Sequence, residues 1–156
     1  MPIIQITTII NAPVERVFDL SRSIDLHKIS TASTNEEAVA GITSGLINLN
    51  ETVTWQAFHL FKKRKMTVKI TAMELFIYFK DEMLEGDFKK FQHQHYFKQI
   101  GSSVEMMDIL AFESPYGWLG KLVDSIFMKR YLQHFLAERN AVIKQFAESK
   151  DWKKLL

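Results

Sequence analysis

The sequence predicts an α+β domain: a curved antiparallel sheet of about seven strands wrapped around a long C-terminal helix, with two short helices after the first strand. Three observations predict it. From Trp118 to about Glu148 there is no proline, and no glycine after Gly120. Apolar residues there recur at three- and four-residue spacing: Leu119, Leu122, Val123 and Ile126, then Leu132, Phe135, Leu136, Val142, Ile143 and Phe146. That is the periodicity of an amphipathic helix. Between Glu36 and Glu113 the pattern alternates instead, as half-buried strands do. From Glu51 onward every link between those strands is short, which makes the sheet an antiparallel meander.

Taken in order, Ile3 to Ile10 is rich in β-branched residues and reads as the first strand. Asn11-Ala12-Pro13 stops it, and Pro13 suits a first helical turn, where its missing N–H is not needed. Val14, Val17, Phe18 and Leu20 form the apolar face of that helix. A second short helix follows from Ser23 to about Ser30. Glu36 to Ala40 is a short strand, and the glycine-bearing segment Gly41 to Asn50 a loop.

Glu51 to Phe61 is a strand with Val53, Trp55, Ala57, His59 and Phe61 on one face. The run Lys62-Lys63-Arg64-Lys65 reads as the following turn, a solvated hairpin tip or a weak phosphate or membrane contact. Met66, Val68, Ile70 and Ala72 line the next strand, and Phe76 to Met83 is another, ended by Gly86. Phe88 to Ile100 sets Phe91, His93, His95 and Phe97 on one face. Gly101-Ser102-Ser103 turns the chain into the last strand, Val104 to Glu113, with Val104, Met106, Asp108, Leu110 and Phe112 on one face. Pro115 and Gly117 precede the long helix.

That helix cannot be one uniform rod. At about 100° per residue, Leu119, Leu122, Val123, Ile126 and Phe127 fall nearly opposite the stripe from Tyr131 to Phe146. A break, or a sharp change of environment, is expected near Met128–Arg130.

Composition narrows the function. The 156 residues form one domain, residues 1–156, with 47% hydrophobic content. Its 20 basic and 18 acidic residues nearly cancel, so no strong field draws the chain to nucleic acid. The absence of cysteine excludes disulfides, thiolate metal sites and thiol nucleophiles. Met1 to Ile10 lacks an apolar core behind a basic start, and no apolar run is long enough to span a bilayer. A cytoplasmic protein without stable membrane insertion is expected. There is no phosphate-cradling glycine loop and no hydrolase nucleophile motif.

The Gly101 turn sets the register of the last hairpin. With Ile100 and Ser103 flanking it, His95 sits opposite Asp108 and His93 opposite Leu110, with facing Cβ atoms about 5 Å apart. A carboxylate beside an imidazole fixes its tautomer and can raise its basicity. The pair reads as a buried structural bond, as a ligand-orienting group, or as a general base with His95 assisted by Asp108. His93 and His95 share a face as metal ligands can, but no third ligand stands out by spacing, so no metal and no cofactor are expected.

The order of elements, with Ile9-Ile10-Asn11-Ala12-Pro13-Val14-Glu15-Arg16-Val17-Phe18-Asp19, resembles the START-like or SRPBCC superfamily, the helix-grip proteins that include the birch-pollen allergen. Thr54-Trp55, Phe79-Lys80-Asp81, Gly86-Asp87-Phe88, His93-Gln94-His95, Asp108 and Pro115-Tyr116-Gly117 are similar to a bacterial cyclase- or dehydratase-like subgroup. The resemblance spans essentially the whole chain. It implies a cavity between sheet and helix for an apolar or amphipathic ligand; fold alone does not name the activity.

Three functions follow. The first is binding of a hydrophobic or amphipathic small molecule, lipid- or polyketide-like, by Trp55, His59, Phe91, His93, His95, Phe97, Asp108 and Leu110. The second is an enzyme of the polyketide cyclase or dehydratase type, in which His95 and Asp108 move a proton. The third is a ligand-free interaction module with a closed core. Binding stands ahead of catalysis, and a homodimer is compatible with all three.

Overall fold

A computed structural model describes residues 1–156. Seven strands form one antiparallel sheet: β1 (Ile3–Ile10), β2 (Glu37–Gly41), β3 (Thr52–His59), β4 (Lys62–Glu74), β5 (Tyr78–Glu85), β6 (Lys90–Ile100) and β7 (Ser103–Glu113). Their spatial order is β1-β7-β6-β5-β4-β3-β2, so the meander from β2 to β7 is closed off by β1 returning beside β7. Helices α1 (Val14–Ser21) and α2 (Ile24–Ser30) fill the crossover from β1 to β2. Pro13 opens α1, and the Ser23 hydroxyl caps α2 by accepting the Leu26 N–H at 3.2 Å.

The sheet curves because its register slips. Bulges interrupt β4 against β5 at Thr67/Val68 and at Ile70/Ala72, and β2 against β3 at Ala38/Ala40. Each extra residue bends its strand and raises the local twist. The concave face carries the inward half of every alternating strand.

One end of that concavity is packed solid. Phe18 from α1 meets Phe76, Phe79 and Phe97 edge-on, with ring centroids 5.5, 5.5 and 5.1 Å away. Such contacts add about 0.5–1.5 kcal/mol each beyond area burial. Ile10, Val17, Leu20, Val104 and Met106 complete this core. A second, smaller cluster joins Ile4, Leu110 and Phe112 to Leu132 and Leu136 of the long helix.

The long helix begins as α3 (Gly117–Val123), passes through a π turn (Asp124–Met128) and continues as α4 (Lys129–Glu148). It does not break. The π turn reaches the predicted point at Met128 and shifts the phase by about one residue, because its wider hydrogen-bonded ring inserts a residue into the helical repeat. Asp124 is buried there: its carboxylate accepts the Ser114 N–H at 2.8 Å and the Ser114 hydroxyl, pinning the π turn to the end of β7. On α4, Leu132, Leu136, Arg139, Asn140, Ile143 and Ala147 are buried. The earlier stripe stays outside, with Leu122 and Ile126 50% and 64% exposed.

The lysine-rich turn is corrected. His59 pairs directly with Lys62, so the two-residue turn is Leu60-Phe61, and Lys62 to Lys65 begin β4. Leu60 and Phe61 have φ of 52° and 63°, the left-handed pair that a tight hairpin of this twist demands. Phe61 is therefore lifted off the inner face and is 96% exposed. No helix is long and apolar enough to cross a membrane.

Candidate functional site

The sheet and the long helix separate at the end away from Phe18, leaving a cavity of about 720 Å³. The interior is therefore not a closed core. Hydrophobic side chains make up 16 of its 29 lining residues, so most of an occupant would have to be apolar. Trp55, Ala57 and Val68 line it from the sheet, Leu132, Phe135 and Leu136 from α4, and Leu119 and Val123 from α3 at the mouth. Gly120 allows α3 to sit this close, since a Cβ there would stand 2.1 Å from the Pro115 carbonyl oxygen.

Besides Lys62, Arg64, Lys65 and Asp87, which also line it, two buried polar groups interrupt the apolar wall. The first gathers around the inner face of β3, at Trp55 and His59. The His27 Nε2 to Glu36 Oε2 distance is 2.9 Å, and His27 stacks on Trp55 with centroids 4.1 Å apart. His59 Nε2 lies 3.9 Å from the other Glu36 oxygen, and His59 Nδ1 lies 2.6 Å from the Tyr131 hydroxyl. With the His59 proton on Nε2, toward Glu36, Nδ1 accepts the Tyr131 O–H. Burial pushes the Glu36 carboxyl up, but the His27 charge and the His27 and His59 contacts outweigh it and hold it well below the usual carboxylate range. Burial, aided by Glu36, pushes the Tyr131 phenol up, so the hydroxyl keeps its proton.

The second polar group lies deeper, where β5, β6 and β7 run side by side. The β6–β7 register is the one expected, His95 opposite Asp108 and His93 opposite Leu110. Strand β5 adds Asp81, directly opposite His93. The His93 Nε2–H donates to Asp108 Oδ1 at 2.9 Å, and the Asn140 amide donates to Asp108 Oδ2 at 2.6 Å. His95 Nε2 lies 2.9 Å from Asp81 Oδ2. His95 Nδ1 is 2.9 Å from Asp108 Oδ1 but makes no aligned hydrogen bond, so that contact is electrostatic. Arg139 Nη1 stands 3.7 Å from the same oxygen.

Electrostatics here are set by burial against partners. Burial raises the Asp108 carboxyl, yet the contacts from His93 and His95 prevail and hold it well below its ordinary value. Asp81 is likewise lowered against its desolvation, chiefly by His95. His93 moves down, first because burial disfavours the imidazolium and then because His95 stands beside it. It is a neutral imidazole at neutral pH.

Of the residues singled out in the sequence, Trp55, His59, Phe91, His93 and Leu110 line the cavity. His95, Phe97 and Asp108 do not, and this corrects their expected place in its wall. Strand β6 descends from cavity to core: His93 is 8% exposed and reaches the cavity, while His95, 2% exposed, is sandwiched between the Phe79 and His93 rings at 4.0 and 3.8 Å. Phe97 packs on Phe18 beyond them. Asp108 sits one layer behind the wall. Direct proton transfer from His95 to a cavity occupant therefore has no path in this geometry.

The sequence reading missed His27, Glu36, Asp81, Tyr131 and Arg139, all of which line the cavity. A signal existed for two. Asp81 follows Phe79 by two residues on an inward-alternating strand, and Arg139 falls on the helical stripe of Leu132, Leu136 and Ile143. Asp81 is also the third metal-type ligand that spacing did not reveal. Asp81, His93 and His95 each offer a ligand atom, all within 4.8 Å of one another.

No family model matches the chain, and no curated protein matches it in sequence. Solved structures do match in shape. Ginseng major latex-like protein 151 from Panax ginseng superposes with a TM-score of 0.69 at 13% identity, over 95% of this chain and 98% of that one. A START superfamily protein from Mycobacterium smegmatis gives 0.69 at 11% identity, over 92% and 98%. A Thermus thermophilus protein gives 0.67 at 19% identity, over 91% and 97%. These likenesses establish the START-like helix-grip fold that the sequence resemblance implied.

Proposed function

We propose that this protein binds a hydrophobic or amphipathic small molecule, lipid- or polyketide-like, in the cavity between the sheet and the long helix. The observation that carries the reading is the cavity itself: about 720 Å³, lined mostly by hydrophobic residues, with two buried polar groups and the charged Lys62, Arg64, Lys65 and Asp87 in its wall. Ligand pockets of about 300–1,000 Å³ with a few placed polar groups are the usual form of small-molecule sites. Trp55, Phe91 and Leu110 supply apolar wall, and His59 and His93 offer polar contacts. A ligand with an apolar body and an oxygen function at one or both ends fits this distribution.

Binding is favoured over the cyclase- or dehydratase-type reaction because His95 and Asp108 do not touch the cavity. It is favoured over a ligand-free interaction module because that reading needs a filled interior.

Native mass spectrometry of gently purified protein tests the reading. A mass adduct released on denaturation is expected, together with saturable uptake of dodecanoate by the stripped protein. Filling the cavity with Ala57→Trp, on the inner face of β3, should abolish uptake without unfolding the chain. Wild-type protein that carries nothing and takes up no dodecanoate or comparable polyketide-like phenol would sink the proposal.

A further inference from the structure

The Asp81–His93–His95 triangle does more than close hydrogen bonds. Asp81 and His93 are cross-strand partners, and His95 follows His93 by two residues on the same face. The three side chains thus project from one patch of sheet, where facing Cβ atoms lie about 5 Å apart. Asp108 stands behind both imidazoles, taking His93 through Nε2 and lying 2.9 Å from His95 Nδ1.

Without an ion, this arrangement leaves a fault. When the His95 proton sits on Nε2 toward Asp81, the buried Nδ1 points a lone pair at the Asp108 carboxylate, and it makes no hydrogen bond. A cation held between His95 Nε2 and Asp81 Oδ2 moves the proton to Nδ1, which then turns the positive end of its N–H toward the Asp108 side in place of a lone pair. His93 is already arranged this way, with Nε2–H committed to Asp108 and Nδ1 left as the free nitrogen. Carboxylates that orient metal-ligating imidazoles from behind are the common outer-shell device of such sites.

We propose that Asp81, His93 and His95 bind one divalent first-row transition ion, zinc or ferrous iron, at the floor of the cavity, with Asp108 as the positioning carboxylate. Two nitrogens and one carboxylate oxygen are the ligand types these ions take with open coordination positions. Metal–ligand bonds of about 2.0–2.2 Å put two ligand atoms at most about 4 Å apart, so the three atoms, within 4.8 Å of one another, have to close in on the ion only slightly. Two carboxylates, Asp81 and Asp108, against one guanidinium, Arg139, leave the patch net negative and favour a cation. Because Asp81 and His93 line the cavity, the open positions face any occupant. The site would hold an oxygen function of that ligand, yet it does not depend on the ligand being present.

The test uses the full chain stripped with a chelator and titrated with Co²⁺ alone, read by visible d–d absorption. One equivalent is expected to bind, with His93→Ala and Asp81→Ala losing it. Asp108→Asn should weaken it about 10–100-fold, as outer-shell changes do. His134→Ala should change nothing; His134 and Glu138 form an exposed pair one turn apart that could take up cobalt on its own. Imidazole ¹⁵N spectra of the wild type with Zn²⁺ give a reading that needs no variant, and the His93 and His95 ring nitrogens should shift together. No cobalt spectrum, binding abolished only by His134→Ala, or unmoved His93 and His95 nitrogens would each overturn the proposal.

Discussion

His93 Nε2 stands 2.9 Å from Asp108 Oδ1, and this contact lies on the boundary between packed core and cavity. Above it His93 meets open space. Below it Asp108 is 0% exposed, held by His93, His95 and Asn140. One buried carboxylate thus joins β6, β7 and α4. A polar knot of this kind is costly to half-dismantle, because each lost partner leaves another group unpaired in a low-dielectric interior.

Asp108→Ala should therefore destabilise the fold by about 3–5 kcal/mol. Asp81→Ala should cost less, since the Asp81 side chain keeps 17% of its surface and can rehydrate. Urea unfolding of both variants checks the order. Equal losses, or an Asp108→Ala cost near that of a surface substitution, would contradict the picture.

Glu36 makes a pH prediction. Its folded pKa lies well below the value of about 4.3 of an unfolded glutamate. A carboxylate depressed in this way contributes stability that is fully present above the unfolded pKa and is lost as pH falls toward the folded one. Between about pH 6 and about pH 3, wild-type stability should fall more steeply than that of Glu36→Gln. Denaturant melts across that range measure the two slopes. Parallel curves would show that Glu36 is not held as described.

Gly120 is required by the Pro115 carbonyl, not by an unusual backbone angle. Gly120→Ala should push α3 outward and cost about 1–3 kcal/mol through overpacking, despite alanine's better helix propensity. A melting temperature at or above the wild type would mean that α3 does not seat there.

Much of the fold was legible because period-two and period-3.6 patterns are printed along the chain. The β6–β7 register came from a single short turn at Gly101, and with it the approach of His95 to Asp108. The helix phase change was legible for the same reason: at about 100° per residue Val123 and Leu132 point in opposite directions, and Val123 stays exposed while Leu132 is buried. What the pattern does not encode is depth. His93, His95 and Phe97 share a face, yet they lie at the cavity wall, one layer beneath it and in the core, because α1 fills only one end of the concave sheet. Phe61 was misplaced since alternation does not announce where a tight turn takes over. Glu36 and Tyr131, partners of His59 from a loop edge and a distant helix, carry no local signal that joins them.

The central claim is that the space between the sheet and α4 receives a small apolar or amphipathic molecule. Methyl-resolved NMR during a dodecanoate titration tests it most directly. The account predicts one saturable equivalent that shifts the methyls of Met66, Val68, Leu110, Leu132 and Leu136, which surround the cavity. Val17, Leu20 and Val104, buried around Phe18, should stay nearly still. No shift at any concentration, or shifts confined to the exposed Leu122 and Ile126, would contradict it.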